Sequence, residues 1–236
     1  MSRLISTIRL FEDFISLLFP RVCQSCGDHL VRNEMIICTS CLVAIPRTDF
    51  HSRRENELEK SFWGRCHIEK AAAFAYFQSG GIMQALIHRL KYDGITEVGM
   101  HLGSIYGTIL RESGFTKDID CIIPVPLHRS KERKRGFNQS LIIAQGISGS
   151  AGIEVADGQL TRIVRTDSQT SRSRYKRWEN IMGVFRLKNP ELLRNRNILL
   201  IDDVITTGST IEGCVHELNS SEGVRVSVAA LATALL

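Results

Sequence analysis

Proline is scarce in this chain, five in 236 residues. With no proline-rich or low-complexity tract, linker-dominated, collagen-like and disordered readings are excluded. Long apolar runs are missing too. The strongest window, residues 4–19, contains Arg9, Glu12 and Asp13 and is too short to span a bilayer. The same charges would fall inside the apolar region of a signal peptide, and no small-residue cleavage site follows. The sequence therefore predicts a cytoplasmic protein without membrane insertion. GxxxxGK[ST], GxSxG, HExxH and GxGxxG are all absent, which removes several common enzyme classes. There is no internal repeat. The seven cysteines are an odd number, and in such a chain they point to metal ligands or structural thiols before disulfides.

What is present suits one α/β domain with a small appendage, long enough for a substantial core. Leu4, Ile8, Phe11, Ile15 and Leu18 recur at helical spacing and predict a first amphipathic helix ending near Pro20. A cysteine-bearing segment follows to about Ala44. The polar stretch 46–65 reads as an ordered loop or linker. Apolar runs at 71–77, 121–125, 198–201 and 224–232 predict buried strands. Helical patterns lie at 82–90, 97–112, 138–147 and 209–219. Strand, loop and helix in repetition predict an α/β fold with a parallel sheet covered by helices on both faces, five-stranded and mostly parallel. The expected domains are residues 1–66, helix and cysteine knuckle with linker, and residues 67–236, the sheet domain.

Cys23-x2-Cys26 and Cys38-x2-Cys41 are separated by eleven residues. Two such turns each offer a pair of thiolates at the geometry of a tetrahedral, structural Zn²⁺, with no open position for catalysis. Four reduced thiols, or one redox CxxC, is the plainer alternative. Cys66 and His67 are adjacent, but two ligands do not make a site. Cys121 and Cys214 read as core thiols.

The most specific signal is the run 198–210, Ile-Leu-Leu-Ile-Asp-Asp-Val-Ile-Thr-Thr-Gly-Ser-Thr. Four apolar residues predict a strand that stops at Asp202 and Asp203. Thr206, Thr207, Gly208, Ser209 and Thr210 then open a helix. Small hydroxyl residues and a glycine let successive N–H groups converge on a phosphate at a helix N-terminus. The carboxylates beside it would bind hydroxyl groups or a hydrated Mg²⁺, so a sugar phosphate is the natural ligand. The bland alternative is an Asp-Asp turn with a capping Ser or Thr.

Two basic runs accompany this motif. Arg129, Lys131, Arg133, Lys134 and Arg135 crowd seven positions with Glu132 alone opposing them. They follow the 121–125 strand, where an open α/β sheet places its ligand, and would suit a loop that clamps a diphosphate. Arg162, Arg165, Arg172, Arg174, Lys176 and Arg177 form the second, opposed by Asp167. Its surplus of five positive charges equals the formal net charge of the whole chain. Its Ser, Thr and Gln content suits a mobile loop closing over substrate. Either run could equally be a solvated basic surface. Lys91 and Tyr92, in Leu-Lys-Tyr-Asp-Gly, end a helix and read as capping residues, with a ligand role as the alternative.

The run 198–210 resembles the 5-phosphoribosyl-1-diphosphate (PRPP) motif of type I phosphoribosyltransferases. Together with Ile123-Pro-Val-Pro-Leu-His-Arg129, Arg135-Gly-Phe-Asn-Gln139, the Arg/Gln-rich segment 162–180 and the cysteine pairs, it is similar to the ComF family, amidophosphoribosyltransferase-like proteins associated with competence. The resemblance implies a type I phosphoribosyltransferase-like sheet behind a four-cysteine zinc knuckle, with PRPP and Mg²⁺ as ligands. It implies ribose and catalytic roles for Asp202, Asp203, Arg133 and Arg135, and 5-phosphate binding by residues 206–210. It implies diphosphate or flexible-loop roles for Arg129, Lys134, Arg162, Gln169 and Arg174. Many relatives carry a second cysteine pair, of which Cys66 alone remains here. No residue stands out as general base for an acceptor. A competing expectation is a non-catalytic module that handles single-stranded DNA for the DNA-uptake machinery through its basic loops. The interleaved aromatics it would need are few: Phe137, Tyr175 and Trp178.

Overall fold

The computed structural model describes residues 20–164 and 183–234. The predicted first helix lies outside the described residues, as do Arg165, Gln169, Arg174 and the rest of the second basic run beyond Val164. Two compact units divide the chain, Met1–Ile45 and Pro46–Leu236.

The first unit is built on the cysteine pairs. Val22 and His29 bridge antiparallel around the first pair, with Gly27 in the left-handed conformation, φ +82°, that closes the turn. Cys38 is the N-cap of a short helix α1, Thr39–Val43.

The second unit is an all-parallel sheet of four strands: β1, Ala71–Tyr76; β2, Cys121–Pro124; β5, Asn197–Ile205; and β6, Arg225–Thr233. Their spatial order is β1-β6-β5-β2. A separate antiparallel hairpin pairs β3, Leu160–Arg162, with β4, Phe185–Leu187. The central strands are buried along nearly their whole length, as continuous Val/Ile/Leu/Ala runs require of a sheet covered on both sides. Among the described residues the sheet has four strands where five are expected. The fifth position is held by one parallel bridge, Ile122 to Val155, in which Ile122 N–H donates to Glu154 and Ala156 N–H donates back. The alternation Ile153-Glu154-Val155 is brief, and Asp157-Gly158, both poor strand formers, follow one residue later, so the pairing does not extend.

The stretch 46–65 is not a linker. Thr48 N–H donates to Phe74 and Tyr76 N–H to Pro46, so the chain pairs along the free edge of β1. Phe50, Leu58 and Phe62 are fully buried. Asn56 caps helix α2, Glu57–Lys60, and its amide donates to Ala71 O, while Glu59 accepts from Ala71 N. Three apolar residues and a few polar side chains thus cover a sheet edge that would otherwise be exposed. The boundary between the compact units accordingly falls after Ile45, not after residue 66.

Helices α3, Ile82–Tyr92, and α4, Thr96–Glu112, follow β1. Helices α5, Arg129–Arg135, and α6, Gln139–Ala151, follow β2, and α7, Ser209–Leu218, joins β5 to β6. Helices α4 and α6 pack on each other, α6 also on β2 and β5, and α7 packs against β4, β5 and β6. Helices α4 and α6 meet through glycine. An added Cβ would lie 2.5 Å from Ile143 O at Gly103 and 2.4 Å from Met100 O at Gly146.

Candidate functional site

Strands β2 and β5 run side by side in parallel, Pro124 opposite Ile201, so their carboxyl ends open on the same edge. That is where an open parallel sheet receives its ligand. Strand β5 does not stop at the carboxylates. It continues to Ile205, with Asp202 opposite Ala230 and Val204 opposite Ala232, because β6 offers backbone partners along this length. Asp202 and Asp203 are therefore strand residues, held rigidly and buried, 7% and 4% exposed.

Each carboxylate is anchored through one oxygen. Asp202 Oδ1 accepts from Ser140 Oγ at 3.1 Å and from the Asp203 N–H at 2.8 Å. Asp203 Oδ1 accepts from the Val204 N–H at 2.7 Å. Asp203 Oδ2 is shielded from solvent, accepts no well-directed hydrogen bond, and faces the Lys91 ammonium at 2.5 Å. Burial, and secondarily the neighbouring Asp203 charge, push the Asp202 carboxyl up to about 7; Lys91 and the bonds from Asp203 N–H and Ser140 oppose the rise.

The loop after β5 leaves Thr206 and Thr207 exposed, and Gly208 stands as N-cap of α7 at φ +75°. A side chain at Gly208 would be strained by that φ and would also meet Phe62 Cε1 at 2.8 Å, so residue 208 must be glycine. Arg65, beside it, donates to Glu212 at 2.8 Å on the first turn of α7. Phe62 and Arg65, from a segment that reads as an ordered loop or linker, thus brace this loop. The Thr207 and Ser209 hydroxyls are 3.1 Å apart. Backbone N–H groups at the start of a ten-residue helix make this an anion-accepting end.

The first basic run is a helix, not a loop. His128 caps α5 by accepting from Ser130 N–H, and Gly136 ends it in the left-handed conformation. The lone acid, Glu132, lies in the first turn and Arg133, Lys134 and Arg135 in the last, which complements the helix dipole. Arg129, Lys131, Arg133 and Lys134 are exposed on it. Arg135 is turned inward, donating to Gln139 and lying 5.7 Å over the Tyr92 ring. Arg162 stacks 5.6 Å over Phe185. Burial draws its guanidinium below the usual range, with the Cys214 and Asp202 charges opposing. Asn138 caps α6 and donates to Val125 O, tying that helix to the end of β2. Of the residues singled out from sequence, the structure gathers Asp202, Asp203 and the loop 206–210, with Arg162 near Asp202; Arg135 joins them through Gln139 and Ser140.

Lys91 and Ser140 complete the carboxylate site, and no motif in the sequence singles out Ser140. The usable signal for Lys91 was its phase. Met83, Ile87 and Lys91 are spaced by four, so the lysine continues a buried helical stripe.

In the first unit the sulfurs of Cys23, Cys26, Cys38 and Cys41 all lie within 4.8 Å of one another. The Ser25 and Cys38 N–H groups point at Cys23 Sγ, at 3.5 and 3.3 Å, and the Cys41 N–H at Cys38 Sγ at 3.4 Å. Burial pushes the Cys23 thiol up, but these backbone donors outweigh it and bring the group down to about 7. Such N–H contacts favour thiolate, the form that ligates metal, so the donor set fits a four-sulfur metal site. Cys66 stands apart as a half-buried thiol raised to about 11, chiefly by burial.

No family model matches the chain. It is 29% identical over 194 residues to the DNA utilization protein YhgH of Escherichia coli O157:H7, covering 80% of each chain. To competence protein F of Haemophilus influenzae it is 28% identical over 198 residues, 80% of this chain and 86% of that one. To competence protein ComFC of Bacillus subtilis it is 24% identical over 201 residues, covering 81% and 75%. Among solved structures, an adenine phosphoribosyltransferase aligns over 62% of this chain and 74% of its own, with TM-score 0.40 and 11% identity. Among the described residues no helix is long and apolar enough to cross a membrane.

Proposed function

We propose that this chain, which belongs to the ComF family of phosphoribosyltransferase-like proteins, binds PRPP at the carboxyl end of β5 and presents its C1 for transfer to a nucleophilic acceptor. The observation that carries this reading is the anchoring of Asp202 and Asp203. Each spends Oδ1 on the protein, and both stand one short loop from the helix N-terminus at Ser209. Acceptor oxygens beside an anion-accepting helix end suit a pentose whose hydroxyls and 5-phosphate are recognised together. In this reading the second carboxylate oxygens take the ribose hydroxyls, and residues 206–210 surround the 5-phosphate. Arg135 and the exposed face of α5 hold the diphosphate as it leaves. The two buried carboxylates also suit a site that receives Mg²⁺ carried in with PRPP, an ion that would neutralise diphosphate charge. In the first unit we assign the four cysteines to a structural Zn²⁺.

Calorimetry with PRPP and Mg²⁺ tests the reading directly. Thr207→Glu places a carboxylate where the phosphate belongs and should abolish binding. Asp202→Asn combined with Asp203→Asn should weaken it by about 2–4 kcal/mol, two charged acceptors being lost. Unchanged PRPP affinity in Thr207→Glu would reduce the loop to a structural turn.

A second reading is favoured by one observation: α5 buries none of its residues and carries five basic side chains against Glu132. Relatives named for competence and DNA utilization make single-stranded DNA and the DNA-uptake machinery natural partners for that surface. DNA affinity through α5 would survive Thr207→Glu, rise slightly when Asp202 and Asp203 are neutralised, and fall steeply with salt.

A further inference from the structure

The carboxylate site holds a cation that belongs to the protein itself. Lys91 leaves the last turn of α3 and sets its ammonium 2.5 Å from Asp203 Oδ2. The Asp203 side chain is 6% exposed, whereas that of Lys91 keeps 21% of its surface in solvent. Lys91 is therefore the more exposed partner of a buried carboxylate. The neighbouring ion pair at this helix end is already made: Arg89 bonds Asp93 at 2.9 Å, and Asp93 closes the helix. Lys91 is not needed as a cap.

From Asp203 the contacts lead outward in both directions. One route runs through Lys91 to Tyr92, which is 68% exposed and lies beneath Arg135. The other passes from Asp202 to Ser140, and from Gln139 back to the same Arg135. Lys91 thus meets a carboxylate directly, and Arg135, from a different helix, stands beside the neighbours of both Lys91 and Ser140. A lysine is the suitable group for a contact that must be broken and remade, being a point charge on a flexible four-carbon stem.

We infer that Lys91 is an exchangeable occupant of the ribose position: it holds Asp203 Oδ2 in the free protein and transfers its ammonium to the diphosphate of PRPP when a ribose hydroxyl takes that oxygen. The inference rests on the PRPP reading of this site. It makes Lys91 a ligand-contacting residue that opposes sugar phosphates lacking a diphosphate and favours those that carry one. A ligand with no anion to receive the ammonium must displace it uncompensated; PRPP supplies its new partner. Discrimination between PRPP and its hydrolysis product would follow from this single side chain.

The test compares PRPP with ribose 5-phosphate, each with Mg²⁺, by calorimetry on wild type and Lys91→Met. Ribose 5-phosphate should bind the variant about fivefold more tightly, because its competitor for Asp203 is gone. PRPP should bind at least about tenfold more weakly, because a charge-assisted contact to diphosphate is lost. Shifts in the same direction, or no shift in either ligand, would overturn the exchange and leave PRPP binding standing. Failure of the wild type to bind either ligand would overturn the PRPP reading and the exchange with it. Should Lys91→Met not fold, Lys91→Arg carries the test. A guanidinium grips a carboxylate more firmly than an ammonium, so ribose 5-phosphate should bind Lys91→Arg several-fold more weakly than wild type; equal affinity would reject the exchange.

Discussion

Asp202 sits where a carboxylate is least comfortable: inside a strand, beside a second carboxylate, with burial as the leading cause of its raised pKa of about 7. A carboxyl raised in the folded state binds its proton more tightly folded than unfolded. Its contribution to stability is therefore fully present below the unfolded value near 3.8 and is lost as pH rises through about 7. Asp202→Asn keeps an oxygen to accept from Ser140 and from the Asp203 N–H while removing the buried charge. We expect it to raise the melting temperature at pH 8 by about 2–4 °C, the shift that about 1 kcal/mol gives a domain of this size, and to change it little at about pH 4, near the unfolded value. Thermal melts of both proteins at the two pH values check this; an equal shift at both would assign the effect to something other than ionisation. The same substitution should weaken PRPP binding, the expected pattern where a charge is retained for function against stability. At this scale the sequence was legible for residues in a motif and poorly legible for those supplied from elsewhere. Asp202 and Asp203 announce themselves by adjacency after an apolar run. Ser140 and Lys91 reach the carboxylates across 62 and 112 positions of chain; local pattern marks Lys91 as continuing a buried stripe but names the partner of neither.

At the scale of elements, periodicity located β1, β2, β5, β6 and the helices α3, α4, α6 and α7, because each has a face or a length of buried apolar residues. It failed where stability comes from capping and edge pairing. The basic run 129–135 has no apolar stripe, yet it forms α5 because His128 caps it, Gly136 ends it and its charges follow the helix dipole. Segment 46–65 buries only a few apolar side chains and meets β1 with backbone and polar groups, a contribution invisible to composition. The packing of α4 on α6 depends on a subtler feature, backbone approaching backbone over glycine. A methyl group at Gly103 or Gly146 would stand about 2.4–2.5 Å from a carbonyl oxygen of the facing helix. Gly103→Ala and Gly146→Ala should each destabilise by about 1–3 kcal/mol in urea melts, although alanine is the better helix former. Gly149, in the same helix as Gly146, has nothing within 4 Å of its added Cβ, so Gly149→Ala should stabilise by a few tenths to about 1 kcal/mol. Equal effects at all three positions would mean that propensity, not close approach, governs these glycines.

For the whole molecule, the two compact units differ in what keeps them folded. The sheet unit has a large core of strand and helix residues. In the first unit the buried apolar residues among those described are Cys23, Ile37, Cys38, Cys41 and Ile45, and three of these five are members of the sulfur cluster. Two isoleucines are too little apolar surface to fold such a segment against its chain entropy. A bound metal changes that balance, because ligation free energy becomes folding free energy for a site the unfolded chain does not preform. The purified protein should therefore carry about one zinc per chain by elemental analysis. In Cys38→Ser the site loses a ligand that also caps α1 and whose own N–H points at Cys23. Zinc content should fall well below that of the wild type, and limited proteolysis should cut within residues 1–45 while leaving a resistant fragment that begins near Pro46. Melting of that fragment should remain cooperative and close to the wild-type transition, since every described strand of the sheet begins at or after Ala71. Full zinc occupancy in Cys38→Ser would place the ligands elsewhere. Loss of the sheet unit's transition would show that the two units fold as one, and the metal would then be a support of the entire chain rather than of its first 45 residues.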